Sequence, residues 1–381
     1  MKRKIVYITG TRADYGPMRS VLYQIHNHEA LSLDIIVTGM HLMDEFGMTV
    51  DEIKKDGFNY HVVDVRYDDD TKDSMAYFIG GFIQRLIPLI RTINPDFILL
   101  LGDRGEMLAG AIVGAYLSIP VAHIHGGDIS STIDDSTRHA ITKFAHIHFA
   151  GTEKSAERII KMGEDPSRVH VVGSPSLDQI LHTKLLEPAE AAQRYHLDLK
   201  KPVFLMVQHP VTLEVDSASQ QITETLEALS YFDGQTIIIY PNADAGGRSM
   251  IEVIKKFEGQ NNILSYSSLP YLDYLSILQI SSVLIGNSSS GIGEAPSFGV
   301  PAINIGTRQL GRERGYNVID VEYDKRLIKS AIEFALNDEE FLEKVKLKKS
   351  PYGDGQCGKR ITSILSTIDI NNDLLMKKMA Y

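Results

Sequence analysis

Several short polar runs in this 381-residue chain carry side chains suited to binding anions or moving protons. Gly10-Thr11-Arg12-Ala13-Asp14 follows an apolar run and opens a helical pattern. Glycine lets backbone approach a ligand, a helix start favours an anion, and Arg12 adds a full charge. Gly102-Asp103-Arg104 ends another apolar run. Asp103 is a candidate general base or sugar-hydroxyl acceptor, and Arg104 a candidate phosphate contact. In His123-Ile124-His125-Gly126-Gly127-Asp128, strand alternation puts both histidines on one face. His125 is the candidate acid–base or sugar-binding group, and His123 reads as a core residue. Two histidines at this spacing suit a metal, but no further ligand at a telling spacing follows, so none is expected. A helix starting at Asp135 or Ser136 puts Arg138 in its first turn, where a cation is disfavoured. Arg138 therefore reads as serving a ligand or a carboxylate such as Asp134.

A second set of runs offers donors rather than bases. His209 follows one apolar run, Asn242 a second, Ser288 and Ser289 a third, and Arg308 a fourth. Small polar residues at a helix start present N–H and hydroxyl donors to phosphate. Glu294 lies further along, where a carboxylate accepts both hydroxyls of a ribose. Each run taken alone also reads as a helix cap or a surface pair. Their recurrence after successive strands favours a ligand site. No G-x-G-x-x-G fingerprint is present, so a dinucleotide cofactor is not indicated and no cofactor is expected.

The elements that position these runs alternate. Strands are expected at 4–9, 33–39, 60–65, 96–102, 121–125 and 146–150, with helices at 17–28, 73–93, 105–117, 135–144 and 154–162. The pattern restarts, with strands at 203–207, 236–240, 262–266, 283–286 and 302–305 and helices at 217–230, 248–257, 271–279 and 291–298. Such alternation specifies an α/β fold of two Rossmann-like, doubly wound parallel sheets. The expected domains are 1–178, carrying the carboxylates, and 179–356, carrying the donors, with a helical segment at 357–381. The connection is expected near 174–186. Ligands of such sheets bind outside the carboxyl ends of the strands, here in a cleft between the domains.

Composition narrows the partners. Hydrophobic residues make up 43% and charged residues 23%, with a net charge of −10. No basic face for nucleic acid is indicated. No apolar stretch is long enough for a membrane span. The single cysteine and the absence of a signal-like start suit the cytoplasm.

The motifs together resemble the hydrolysing UDP-N-acetylglucosamine 2-epimerases of sialic acid synthesis. Gly10-Thr11-Arg12-Ala13-Asp14-Tyr15, Gly102-Asp103-Arg104, Ile133-Asp134-Asp135-Ser136, Gln208-His209-Pro210-Val211-Thr212, Gly286-Asn287-Ser288-Ser289 and Gly306-Thr307-Arg308-Gln309 carry the resemblance, in order, over nearly the whole chain. It implies a GT-B-type fold and a reaction of UDP-GlcNAc with water to give ManNAc and UDP through a 2-acetamidoglucal. It also implies a homodimer, with the helix at 73–93 a candidate interface. By the resemblance, Arg12, His209, Asn242, Ser288, Ser289, Glu294 and Arg308 hold UDP, and Asp103, Asp134 and Arg138 are catalytic. Two positions depart from the pattern. Sialic-acid members have a catalytic Glu where this chain has His125, and some members have an Arg where it has Gly293. These departures fit either a related substrate, such as a UDP-2,4-diacetamido sugar, or drift within one activity. The rival readings are a non-hydrolysing epimerase, a GT-B glycosyltransferase and a non-catalytic UDP-sugar sensor.

Overall fold

The computed structural model of the chain describes residues 2–260 and 262–380. The first sheet contains β1 (Arg3–Thr9), β2 (Leu31–Val37), β3 (Tyr60–Val62), β4 (Phe97–Leu101), β5 (Val121–Ile124), β6 (Ile147–Ala150) and β7 (Val169–Val171). Its order is β3-β2-β1-β4-β5-β6-β7, with every pairing parallel. The second contains β8 (Val203–Val207), β9 (Gln235–Ile239), β10 (Ile263–Tyr266), β11 (Val283–Gly286), β12 (Ala302–Ile305) and β13 (Val318–Val321). It runs β10-β9-β8-β11-β12-β13, again all parallel. The strand order reverses between β1 and β4 and between β8 and β11. Those switch points are where an open α/β sheet leaves a crevice at its carboxyl edge. The loops carrying Arg12 and Asp103 flank the first, and those carrying His209 and Ser288 flank the second.

Helices cover both faces of each sheet, so central strands read as continuous apolar runs; Ile5, Val6, Tyr7 and Ile8 of β1 are all fully buried. Met18 and Leu22 of the helix Arg12–His26 pack one face of the first sheet together with Ile361 and Leu365. The last two belong to the C-terminal helix Cys357–Thr367, so the chain crosses back from the second sheet to the first. That helix is capped by Asp178, whose carboxylate accepts the N–H groups of Cys357 at 2.8 Å and Gly358 at 2.7 Å. Phe78, Phe82 and Leu86 of the helix Lys72–Ile93 pack the opposite face.

Local chemistry moves several expected boundaries. The first helix begins at Arg12, upstream of Pro17, because Thr11 and Asp14 form a capping box. The Thr11 hydroxyl accepts the Ala13 N–H at 3.2 Å, and Asp14 accepts the Thr11 N–H at 3.2 Å. The helix Ile133–Phe144 begins after Thr132, whose hydroxyl accepts the Asp134 N–H at 3.2 Å. Arg138 therefore lies in the second turn, and the first-turn argument for it fails. His125 stands just beyond β5 at φ 61°, so strand alternation does not reach it. His123 points into the core and His125 into the cleft. The expected connection at 174–186 is largely a helix, Pro175–His182, packed on Arg12–His26. The pattern at 291–298 breaks at Glu294 into Ser290–Gly293 and Ala295–Phe298, because Pro296 lacks the N–H that would continue one helix.

Candidate active site

Two adjoining open cavities lie between the switch points, spanning about 730 and 1060 Å³ including the solvent at their mouths. They share His209, Asn242, Ser288, Ser289 and Glu294. In the first, the chain offers unused donors and acceptors. Arg12 stacks over Tyr274, with its guanidinium carbon 5.1 Å from the ring centroid, and its buried Nη1 has no partner. The buried Oδ1 of Asn242 is also unpartnered, while its Nδ2 donates to Asp244 at 2.6 Å. Burial, with Arg308, Arg104 and Arg12 nearby, pushes the His209 pKa well below its usual range, so the ring is neutral. Its Nδ1 accepts the Asn242 N–H at 3.2 Å, which leaves the proton on Nε2 as a donor. Burial raises the pKa of Glu294, which accepts the Tyr271 hydroxyl at 3.2 Å. This cavity suits an anion beside a polyhydroxy group.

The second cavity gathers acids and their counter-ions. Arg138 is 1% exposed and pairs with Asp103 across the tip of β4. It also donates to the Asp128 carbonyl at 3.0 Å and to Ser130 Oγ at 3.3 Å. Its carboxylate partners are thus Asp103 and, at 3.4 Å, Asp135, rather than Asp134. Asp134 instead meets Arg308 of the second half at 3.1 Å. The two carboxylates are driven apart. Burial favours protonated Asp103, but Arg138, Arg312 and Arg308 outweigh it and hold its pKa below the usual value. Burial and the charge of Asp103 push Asp134 up to about 6. One group is a fixed anion, the other a base that titrates near neutrality.

His123 supports this arrangement from beneath. Burial lowers its pKa to about 3, and its Nε2 lies 2.7 Å from the Gly102 carbonyl, fixing the loop that carries Asp103. Arg104 lines the cavity but spends its guanidinium on Glu106 at 3.3 Å and Tyr67 at 3.4 Å. Sequence reasoning assigned no role to four other residues here. His125 Nδ1 lies 3.2 Å from Asp128, and its Nε2 lies 3.2 Å from Ser174 Oγ. Arg312 reaches Asp128 at 3.0 Å and the Tyr352 hydroxyl at 3.4 Å. Asp128 had a signal, since it closes the histidine run. Arg312 sits in Gly311-Arg312-Glu313-Arg314, which reads as a solvated charged loop.

The model of one family, described as UDP-N-acetylglucosamine 2-epimerase, matches residues 23–366. The chain belongs to that family. It is 42% identical over 383 residues, all of both chains, to a Legionella pneumophila UDP-N,N'-diacetylbacillosamine 2-epimerase (hydrolyzing). It is 38% identical over 334 residues, 87% of each chain, to a Neisseria meningitidis UDP-N-acetylglucosamine 2-epimerase. Among solved structures, the S. aureus MnaA–UDP co-structure superposes with a TM-score of 0.79 at 19% identity, covering 95% of this chain and 96% of that one. The fold of this epimerase-family chain is thus the GT-B type, two parallel-sheet halves around a cleft. Among the described residues, no helix is long and apolar enough to cross a membrane.

Proposed function

We propose that the protein is a hydrolysing 2-epimerase of a UDP-2-acetamido sugar. A base takes the C2 proton while the C1–O bond to UDP breaks, giving a 2-acetamidoglucal. Water then adds its oxygen to C1, and a proton returns to C2 from the other face. The products are UDP and the C2-inverted free sugar, and the reaction balances with water alone. The observation that supports the reading is the pair Asp103 and Asp134, pushed in opposite directions, with Asp103 lining the cavity and Asp134 reaching it through its partner Arg308. Asp134 is the group poised to give and take a proton, and His125 is the second, on its own carboxylate. Arg12, neutral His209, Asn242, Ser288, Ser289 and Arg308 receive the diphosphate, whose charge grows as it leaves. Glu294 accepts the ribose hydroxyls.

Among the sugars, a 2,4-diacetamido substrate is favoured over UDP-GlcNAc. The full-length likeness to the Legionella enzyme supports it, and so does Gly293. That residue is not at positive φ, and a Cβ there would meet only Ser176 Oγ at 3.9 Å. Neither backbone nor packing requires glycine, so its missing side chain leaves room beside the sugar. UDP-GlcNAc remains the second reading, supported by the Neisseria relative. The cytoplasm and a homodimer belong to the same proposal.

The test is incubation with each UDP-sugar in deuterated water, followed by product identification. Free UDP and a C2-inverted sugar carrying deuterium at C2 are expected. An inverted sugar still attached to UDP would replace this reading with the non-hydrolysing one. Binding without release or exchange would replace it with a sensor.

A further inference from the structure

The loop after β12 reaches from the second half of the molecule into the first at several places, among them Glu313, which pairs with Lys154 at 3.7 Å, and two arginine–aspartate pairs. Arg308 pairs with Asp134, and Arg312 with Asp128. The second contact serves no ligand-binding purpose already described. Asp128 is 3% exposed, and each of its oxygens is engaged. Oδ1 accepts the Ser155 hydroxyl at 2.7 Å. Oδ2 is shared, with Arg312 Nη2 at 3.0 Å and His125 Nδ1 at 3.2 Å. Arg312 is itself held by Gln309 Oε1 at 3.2 Å and by the Tyr352 hydroxyl at 3.4 Å. The His125 ring tilts against Tyr352 at 5.9 Å between centroids, so guanidinium, carboxylate and both rings form one packed group.

A buried carboxylate facing only an imidazole would hold that ring as an imidazolium, because losing the proton would strand the anion. A permanent guanidinium on the same oxygen removes that constraint. Asp128 stays compensated whether or not His125 carries a second proton. With Asp128 as a fixed acceptor, the Nδ1 proton stays in place and Nε2, which faces the Ser174 hydroxyl at 3.2 Å, is the nitrogen left for exchange. Asp128, Ser155, His125 and Ser174 all belong to the first half, whereas Arg312 and the residues that hold it, Gln309 and Tyr352, lie in the second. We propose that Arg312 is a positioning residue of this reaction, delivered by closure of the cleft, which clamps Asp128 and so fixes the ring and tautomer of His125. The proposal rests on the acid–base role given to His125 above. It adds that this role exists only when the two halves are together.

The test compares wild type with Arg312→Gln, Arg312→Lys, Asp128→Asn and the Arg312→Gln/Asp128→Asn double variant. For Arg312→Gln, kcat for UDP release should fall by about a hundredfold, as a small misplacement of a reacting group does. The Kd for UDP should stay within about threefold, because the guanidinium is already engaged by Asp128, Gln309 and Tyr352. Arg312→Lys keeps the buried charge, guards against a folding failure of the Gln variant and should recover about tenfold of the loss. The double variant should cost no more than the worse single one, because both break the same chain of contacts. A wild-type kcat in Arg312→Gln, or losses that add, would overturn the proposal. Nitrogen-15 spectra of the UDP-loaded protein, with His125→Asn assigning the signal, supply a readout without turnover. His125 should show one tautomer, protonated at Nδ1, in wild type and a mixture in Arg312→Gln. An identical signature in both would overturn the proposal even if UDP release were never observed, whereas absence of release alone would sink the hydrolase reading.

Discussion

The two cavities handle charge in opposite ways. The arginines that line the acid–base cavity are each paired: Arg138 with Asp103 inside it, Arg308 and Arg312 with Asp134 and Asp128 behind its wall. In the nucleotide cavity, buried Arg12 Nη1 and Asn242 Oδ1 have no partner, and neutral His209 keeps a donor free. Buried polar groups are rarely left unpaired, because each costs about 1–3 kcal/mol. A surface that tolerates that cost is waiting for a ligand, and one that avoids it is preset for chemistry. Substitutions in the acid–base cavity should therefore lower kcat and leave UDP affinity alone. Those in the nucleotide cavity should weaken affinity and leave chemistry alone.

The largest effect expected is that of Asp103→Asn. Asparagine keeps an oxygen for Arg138, so the fold survives, but the fixed charge is gone. Turnover should drop by about a thousandfold, with the Kd for UDP unchanged by calorimetry. Near-normal turnover would remove Asp103 from the chemistry. The same variant also tests the coupling. Asp134 stands at about 6 partly because Asp103 is negative beside it. As the base, it must be ionised, so activity falls as pH drops through that value. Removing the neighbouring charge lowers the Asp134 pKa, and the acid limb of the residual kcat profile should move to lower pH. A limb that stays put, or rises, would mean another group titrates.

Arg12→Ala comes next. Losing a charge-assisted contact to phosphate costs about 2 kcal/mol, roughly thirtyfold in UDP affinity. Turnover at saturating substrate should change little. A fall in kcat with unchanged affinity would break the division between the cavities. Arg308→Ala tests where that division blurs, since the side chain faces both Asp134 and the shared wall. UDP binding should weaken about tenfold. Without the guanidinium, Asp134 is held less strongly as an anion, and the acid limb should move up in pH, opposite to Asp103→Asn. Limbs moving the same way in both variants would refute the assignment of Asp134.

Much of this was readable from residue order. The strands beside the switch points, β1, β4, β8 and β11, are almost wholly buried apolar runs with polar tips, because burial on both faces leaves no other composition. The edge strands β7 and β13 escaped, since Val169-His170-Val171 and Val318-Ile319-Asp320-Val321 are short and only partly buried. Nucleotide-side candidates follow strands directly, and all of them line one or both cavities. The pairings were not readable. Arg138 meets Asp103 from 35 residues away within the first half, where the adjacent β4 and β5 bring their loops together, and Arg308 meets Asp134 from 174, across the cleft between the two sheets. His125 escaped the strand rule because a left-handed backbone, followed by two glycines, turns it out of register.

The smallest effect sharpens the comparison at its finest grain. Tyr274 supplies the face over which Arg12 lies, and its hydroxyl donates to Ser290 Oγ at 2.6 Å. Tyr274→Phe keeps the ring and loses only the hydroxyl, whereas Tyr274→Leu loses the π face as well. A cation–π contact at such a site is worth about 0.5–1 kcal/mol, so the Leu variant should bind UDP a few-fold more weakly than the Phe variant. If the ring preorganises Arg12, the difference should disappear in an Arg12→Ala background, because no cation remains to be held. A difference that persists there would mean that Tyr274 contacts the ligand itself, and the unpartnered guanidinium would then be placed by the cleft wall rather than by the ring beneath it.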